Sequence, residues 1–377
     1  MLTLIKNAKV ITPDFDGFCE KDVYVDGDRI VESQGKNPDK IIDANGKYLL
    51  PGLIDLHIHG GIMANFSSTE NPLPALEFNV RKGVTSVLAT MGVNKFENLL
   101  EYAKNIAYYV KNPTSGANIV GIHFEGPFLS NEKKGAMHSP DIDATIENFQ
   151  KLVEAGEGCV RLMTIAPERE NALEIIKEGK KRGIRMSIGH TMATYEQAMA
   201  AVEAGATGAT HTFNAMRSLL HRDPGVLGAV LTEPSVSCEV ICDFVHLSPA
   251  IVKLIYASKG EDGMILISDS GPQTGMPDGQ YVFSGKLKTN KNGVCTIDDG
   301  KTISGSLMTM GDSAKNLISI GIPLNVISKM GSRNPAKAIG VYDEVGSIEA
   351  GKRADIIIVD EFFNLDTVIV RGEEVEM

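Results

Sequence analysis

The sequence predicts an α/β protein: a parallel (β/α)8 TIM-type barrel joined to a small β-sandwich domain built from both chain termini. Three observations lead there. Eight short apolar runs recur between residues 53 and 270, and segments of helical periodicity separate most of them. Both ends of the chain are β-rich and lack long helical periodicity. Histidines and carboxylates stand at the ends of the apolar runs, which is where such a barrel carries its chemistry. A doubly wound open sheet is the alternative arrangement.

Residues 1–50 hold LIKNAKVI, DVYVDGDRIV and KYLL, with Asp26-Gly27 as a hairpin turn signal. The end of the chain reads alike, in GSIEAGKRADIIIVD and TVIVRGEEVEM. Chain termini often lie close together, so residues 1–50 plus 345–377 are assigned to one small β domain and 51–344 to the barrel. The eight runs are LIDLHIHG, TSVLAT, IVGIHFEG, VRLMTIAPE, IRMSIGHT, GATHTFN, SVSCEVICD and MILISDS. Between them PLPALEFNVRKG, FENLLEYAKNIAYYV, NALEIIKEGKKRG, YEQAMAAVEAG and SPAIVKLIYASKG space their apolar residues as helices do, and several close on glycine. The connection from the sixth run to the seventh is broken by Pro224 and Gly225 and is expected to carry a loop.

The bulk numbers narrow the function classes. A formal charge of -11 argues against nucleic acid or an anionic membrane as partner, although a few local cations can still receive a small anionic substrate. The five cysteines are scattered and odd in number, which suggests a reducing compartment. Cys238 and Cys242 are close, but they fall in a strand, which disfavours a zinc clip. The first residues lack the layout of a signal peptide, and no run of eighteen apolar residues offers a membrane span. The expected location is the cytoplasm.

At the strand ends, the first run supplies His57 and His59, two apart and so on one face. The third gives His123 and Glu125, the fifth His190, the sixth His211 and the eighth Asp269. The seventh gives Asp243, with His246 just beyond. Any one of these suits a hydrogen-bonded structural role, and Asp269 taken alone suits a helix N-cap. Together they point to a divalent metal bound by imidazole and carboxylate, with zinc, iron, cobalt or manganese as candidates. Such an ion lowers the pKa of bound water from 15.7 to about 7 and polarises a carbonyl. Asp269 is the candidate to take the water's proton and pass it to a leaving group.

PGLIDLHIHG after a small β domain resembles the amidohydrolase superfamily. HFEGPF, GHTMATYEQAMAAVEAGATGATHTFNAM and HRDPG are more particular, and together they resemble the N-acetylglucosamine-6-phosphate deacetylase family over nearly the full chain. The resemblance implies a metal-dependent hydrolase of amino-sugar catabolism that releases acetate from N-acetyl-D-glucosamine 6-phosphate. By the same resemblance Glu125, His190 and His211 hold the main metal, and His57 and His59 hold a second with Glu125 bridging, so one or two ions per subunit are expected. Asp269 matches the catalytic acid/base. Glu125 stands where many amidohydrolases use a modified lysine.

Substrate contacts carry over as well. Asn214 and Ala215 match contacts to the sugar phosphate, and Arg222 and His246 match contacts to the phosphate itself. The arginine comes from the neighbouring subunit in relatives, which implies a homodimer, and a guanidinium fork suits phosphate. His138 matches a histidine that helps polarise the acetyl carbonyl, but its loop is one residue longer than expected, so Met137 is the alternative occupant. Ile303, Ser304 and Gly305 line the acetyl pocket on this reading. His123, His221 and Asp243 are left as structural or supporting groups. Two other functions stay open from the sequence: a different amidohydrolase activity, cyclic amidase or deaminase, and a non-catalytic scaffold of the same fold.

Overall fold

A computed structural model describes residues 1–33, 35–139, 141–283, 285–297 and 300–376. The eight apolar runs form eight parallel strands: Leu53–Ile58, Val84–Met91, Asn118–Glu125, Val160–Ile165, Arg185–Ile188, Gly208–Ala209, Ser237–Ile241 and Met264–Ile267. They pair in chain order. These runs lack polar alternation because both faces are covered; every residue of Leu53–Ile58 and Val84–Met91 is buried. No ladder joins the last strand to the first among the described residues, yet backbone bonds cross that seam. Asp269 N donates to His57 O at 2.9 Å and His59 N to Ser270 O at 2.7 Å. Below them the Asp55 carboxylate accepts from Ser268 Oγ at 2.5 Å. The sheet is therefore a near-closed barrel, and the seam lies directly beside the histidine pair.

The barrel interior is layered. Ile54, Leu56, Leu88, Leu162, Ile241, Ile265 and Ile267 form an apolar cluster with Ala336, Ile339 and Val345. Two residues further along come Thr90 and Thr164, on the same strand face, and Asp243 and Asp269, just beyond the ends of their strands. A polar chain runs round this upper layer. His123 bonds Thr90 at 3.2 Å and Thr164 at 2.9 Å, Thr164 bonds Thr210 at 2.9 Å, and Thr210 bonds Ser187 at 2.7 Å. Both ring nitrogens of His123 are thus engaged, which agrees with a structural role.

The helices expected from periodicity are present at Leu73–Val80, Phe96–Lys111, Ala172–Lys181, Tyr195–Ala204 and Pro249–Lys259. Tyr195–Ala204 starts on a capping box between Thr194 and Gln197 and stops at Gly205, whose φ of 125° suits glycine. The connection from the sixth strand to the seventh carries the expected loop and then a helix that the sequence did not announce. Gly225–Thr232 is a buried helix with Pro224 at its N-cap. A proline at a helix start loses no intrahelical bond, so Pro224 begins this helix and the irregular stretch is confined to 210–224.

Both chain ends contribute to one connected sheet. Leu2–Ile11 pairs with Phe18–Asp26, and Tyr48–Pro51 pairs with Ile356–Val359, which continues to Leu365–Val370. The expected hairpin is present at Asp26-Gly27: Asp26 pairs opposite Arg29, and Gly27, at φ 59°, and Asp28 make the turn.

A three-stranded antiparallel sheet was not legible in the sequence: Gly279–Phe283, Lys286–Lys291 and Val294–Ile297. It is tied to the barrel mouth. Asn290 Nδ2 donates to Gln273 O at 3.0 Å, and Lys286 Nζ donates to the carbonyls of Ala136 and Met137 at 2.6 and 2.7 Å. No helix among the described residues is long and apolar enough to cross a membrane.

Candidate metal centre and active site

Glu125 ends the third barrel strand, fully enclosed, and four imidazoles point at its carboxylate. His190 Nε2 and His211 Nε2 each lie 3.0 Å from Glu125 Oε1 and 3.0 Å from one another. His57 Nε2 is 3.2 Å from Oε1, and His59 Nε2 is 3.1 Å from Oε2. Asp269 closes the group, with Oδ1 3.3 Å from His59 and 3.5 Å from His57. Six residues far apart in sequence are brought together because each sits at or just beyond the carboxyl end of a barrel strand.

The backbone at three of them is unusual. His190, His211 and Asp269 have φ of 47°, 29° and 53°. Histidine and aspartate tolerate the left-handed region better than most residues, but each still costs about 1–3 kcal/mol. The preceding Gly189 has no room for a side chain: a Cβ there would stand 2.7 Å from Thr210 Cβ. That strain is retained where it aims a side chain inward.

The donor set fits a divalent cation. His57 Nε2 and Glu125 Oε2 are buried and close to each other's neighbours, yet neither has a hydrogen-bond partner of acceptable geometry. Two overlapping trios, His57 with His59 and Asp269, and His57 with Glu125 and His211, have donor atoms all within 4.8 Å. Imidazole and carboxylate without thiolate suit zinc, iron, cobalt or manganese. The rings are held from behind: His190 Nδ1 is 2.7 Å from Lys133 O, and His57 Nδ1 is 3.4 Å from Glu239 Oε2.

Electrostatics favour a positive guest. Burial alone would push the His57 and His59 imidazoles down, but Glu125 and Asp269 outweigh it and raise both. Conversely, burial would raise Asp269, yet His59 and His57 pull it down to about 2, so it is ionised near neutral pH. Asp55 behaves oppositely: burial raises it to about 6 despite the bonds from Ser268. It braces the seam under His57 rather than facing ligand.

The cluster opens on a cavity of about 480 Å3, the size of a small-molecule site. His59, Glu125, His190, His211 and Asp269 are on its wall, and His57 lies behind them, fully buried. Met137 and His138 both line it, so each remains a candidate for the carbonyl contact. Asn214, Ala215, His246, Ile303, Ser304 and Gly305 line it too. The Asn214 side chain is partly committed, donating to His211 O at 3.1 Å. His246 is held by Asp243, with Nδ1 2.7 Å from Oδ2, and Ser306 Oγ donates to the same oxygen at 2.9 Å. Burial opposes the His246 cation, but Asp243 outweighs it and raises its pKa. Arg222 is exposed and is not on the cavity wall of its own chain.

Four residues escaped the sequence reading: Asp55, Glu239, Gln273 and Lys288. Two left a signal. Asp55 precedes His57 by two, so it shares its face, and Glu239 is a lone charge inside the apolar run SCEVIC.

Comparison with known proteins gives this geometry a family. The description of the amidohydrolase family matches residues 48–375. The chain belongs to the amidohydrolase family. It is thus a hydrolase, from a metal-dependent superfamily whose expected donors this chain assembles. Among curated amidohydrolase relatives, N-acetylglucosamine-6-phosphate deacetylase of Lysinibacillus sphaericus is 34% identical over 88% of this chain and 86% of its own length. N-acetylgalactosamine-6-phosphate deacetylase of Escherichia coli O157:H7 is 30% identical over 89% of this chain and 90% of its own. A crystal structure of the Mycobacterium smegmatis N-acetyl-D-glucosamine-6-phosphate deacetylase, a mutant in complex with N-acetyl-D-glucosamine-6-phosphate, superposes with a TM-score of 0.91. It is 32% identical and covers 100% of this chain and 99% of that one.

Proposed function

We propose that this amidohydrolase deacetylates N-acetyl-D-glucosamine 6-phosphate, giving D-glucosamine 6-phosphate and acetate. The observation that carries the reading is the convergence of Glu125, His190, His211 and Asp269 on one wall of the cavity. The names of relatives matched over most of both chains supply the substrate class.

Glu125, His190 and His211 would hold the main ion, with His57 and His59 providing for a second. The chemistry a divalent cation supplies there is Lewis acidity, which makes hydroxide available near neutral pH and polarises an amide carbonyl. The residues of the chain do the rest. Asp269, ionised and on the wall beside the cluster, accepts the proton of the attacking water as its oxygen bonds to the acetyl carbon. As the carbon–nitrogen bond breaks, Asp269 returns that proton to the departing amine. His138, or Met137 in its place, faces the acetyl carbonyl, and Ile303, Ser304 and Gly305 shape the space for the methyl group. Asn214, Ala215 and His246 receive the sugar phosphate. Arg222, exposed and not on the wall of its own cavity, completes the phosphate site of a second copy in a homodimer. The barrel of residues 51–344 houses the reaction, with 1–50 and 345–377 as the accompanying domain. A cytoplasmic location suits the five free cysteines.

The test is acetate release by apo-protein reconstituted with zinc, iron, cobalt or manganese in turn. N-acetylglucosamine 6-phosphate should be turned over, and its unphosphorylated form at least about 100-fold less efficiently, the scale on which a site built for a polar group rejects an analogue lacking it. Faster turnover of the galactosamine epimer would reassign the substrate, and release from neither would defeat the reading.

A further inference from the structure

The small sheet over the cavity contains a pattern that neither the family reading nor the mechanism uses. Alternate residues of Lys286–Lys291 face the same way, so Lys286, Lys288 and Asn290 share one face. That face is turned to the barrel mouth. Lys286 reaches the carbonyls of Ala136 and Met137, and Asn290 reaches Gln273 O, whereas Leu287, on the opposite face, is exposed. Lys288 therefore points at the cavity, whose wall it forms together with Asp269, His246 and Gln273's neighbour Pro272.

Its partners do not satisfy it. An ammonium has three donors, and Lys288 Nζ uses one, to the neutral Gln273 Oε1 at 3.2 Å. No carboxylate lies within 4.0 Å of it among the described residues, whereas Lys329, also sheltered, has two and Lys352 has one. Burial accordingly lowers the Lys288 pKa, with Cys295 and Asp269 opposing it and the Lys286 charge adding to it. Gln273 is itself pinned, its Nε2 donating to Ser304 O at 2.8 Å, so its Oε1 holds the ammonium in one place. A cation positioned by a neutral amide at the wall of a ligand cavity, with no counter-ion among the described residues, is arranged to receive an anion.

We propose that Lys288 is a ligand contact in the roof of the site, its ammonium binding an anionic oxygen of the bound molecule. Two sources share that chemistry, the phosphate of the amino sugar and the carboxylate of released acetate. The inference rests on the deacetylase reading. It would make the anion site of one chain more complete than His246 alone, since Arg222 is absent from its own cavity.

The test uses metal-loaded wild type, Lys288→Met, Lys288→Gln and Lys288→Arg, with circular dichroism and metal content as folding controls. Dissociation constants are measured calorimetrically for glucosamine 6-phosphate, glucosamine and acetate. Lys288→Met and Lys288→Gln should weaken one of the two anions at least about tenfold and leave glucosamine within about twofold, and Lys288→Arg should recover most of the loss. Loss on the sugar phosphate identifies the phosphate as the partner; loss on acetate identifies the carboxylate. Both anions binding to Lys288→Met or Lys288→Gln as to wild type would overturn the proposal. Wild type binding neither anion would instead overturn the deacetylase reading, and the Lys288 proposal with it.

Discussion

Asp269→Asn is expected to cut kcat by about 10²–10⁴-fold while the ion held by Glu125, His190 and His211 stays in place. The substitution is nearly isosteric. Asparagine tolerates the left-handed backbone that Asp269 adopts at φ 53°, and the flanking bonds, Asp269 N to His57 O and Ser306 N to Asp269 O at 2.9 Å each, involve main chain only. What disappears is the acceptor for the proton of the attacking water. The loss should fall on kcat with KM little changed, because Asp269 acts on a proton in flight and not on the ground-state ligand. Metal analysis of the same preparation separates this from a damaged centre. Turnover within about tenfold of wild type would remove Asp269 from the chemistry.

Glu125→Gln should have the other large effect. Glu125 is the one group that all four imidazoles approach, at 3.0 to 3.2 Å. An amide presents one neutral oxygen where the carboxylate presents two charged ones, so the variant should purify with little metal and turn over at least about 10³-fold more slowly. Stability gives a second reading. An ion that binds only the folded chain stabilises it by about 4 kcal/mol at a thousandfold excess over Kd, so a chelator should lower the Tm of wild type by several degrees. Glu125→Gln should start at a lower Tm and respond to the chelator hardly at all. A chelator shift in the variant equal to that of wild type would place the stabilising ion elsewhere.

Much of this was legible from residues. Leu53–Ile58 and its seven counterparts announce themselves because strands covered on both faces must be apolar throughout. The ligands stand out for the complementary reason: His57, Glu125, His190 and His211 interrupt those apolar runs at the same end. The sheet over the cavity gave no such contrast. KLKTNK in Lys286–Lys291 is polar at every position but Leu287, as a solvated surface strand can be, and only the fold turns Lys286 and Lys288 inward. Pro224 marks the end of the loop in its connection but not the helix that follows, since proline both ends and begins helices and the sequence alone does not say which. Glu239 and Asp55 were passed over because each lies mid-strand, below the strand ends where ligands were sought.

The assembly of one cation site from three strands, by Glu125, His190 and His211, is the claim on which the mechanism, the variants and the substrate reading all depend. Crystals of the metal-loaded protein, measured at wavelengths on either side of the metal's absorption edge, test it directly. The account predicts an anomalous peak about 2.0–2.3 Å from Glu125, His190 Nε2 and His211 Nε2. A fully loaded protein whose peak lies away from these three side chains would contradict it.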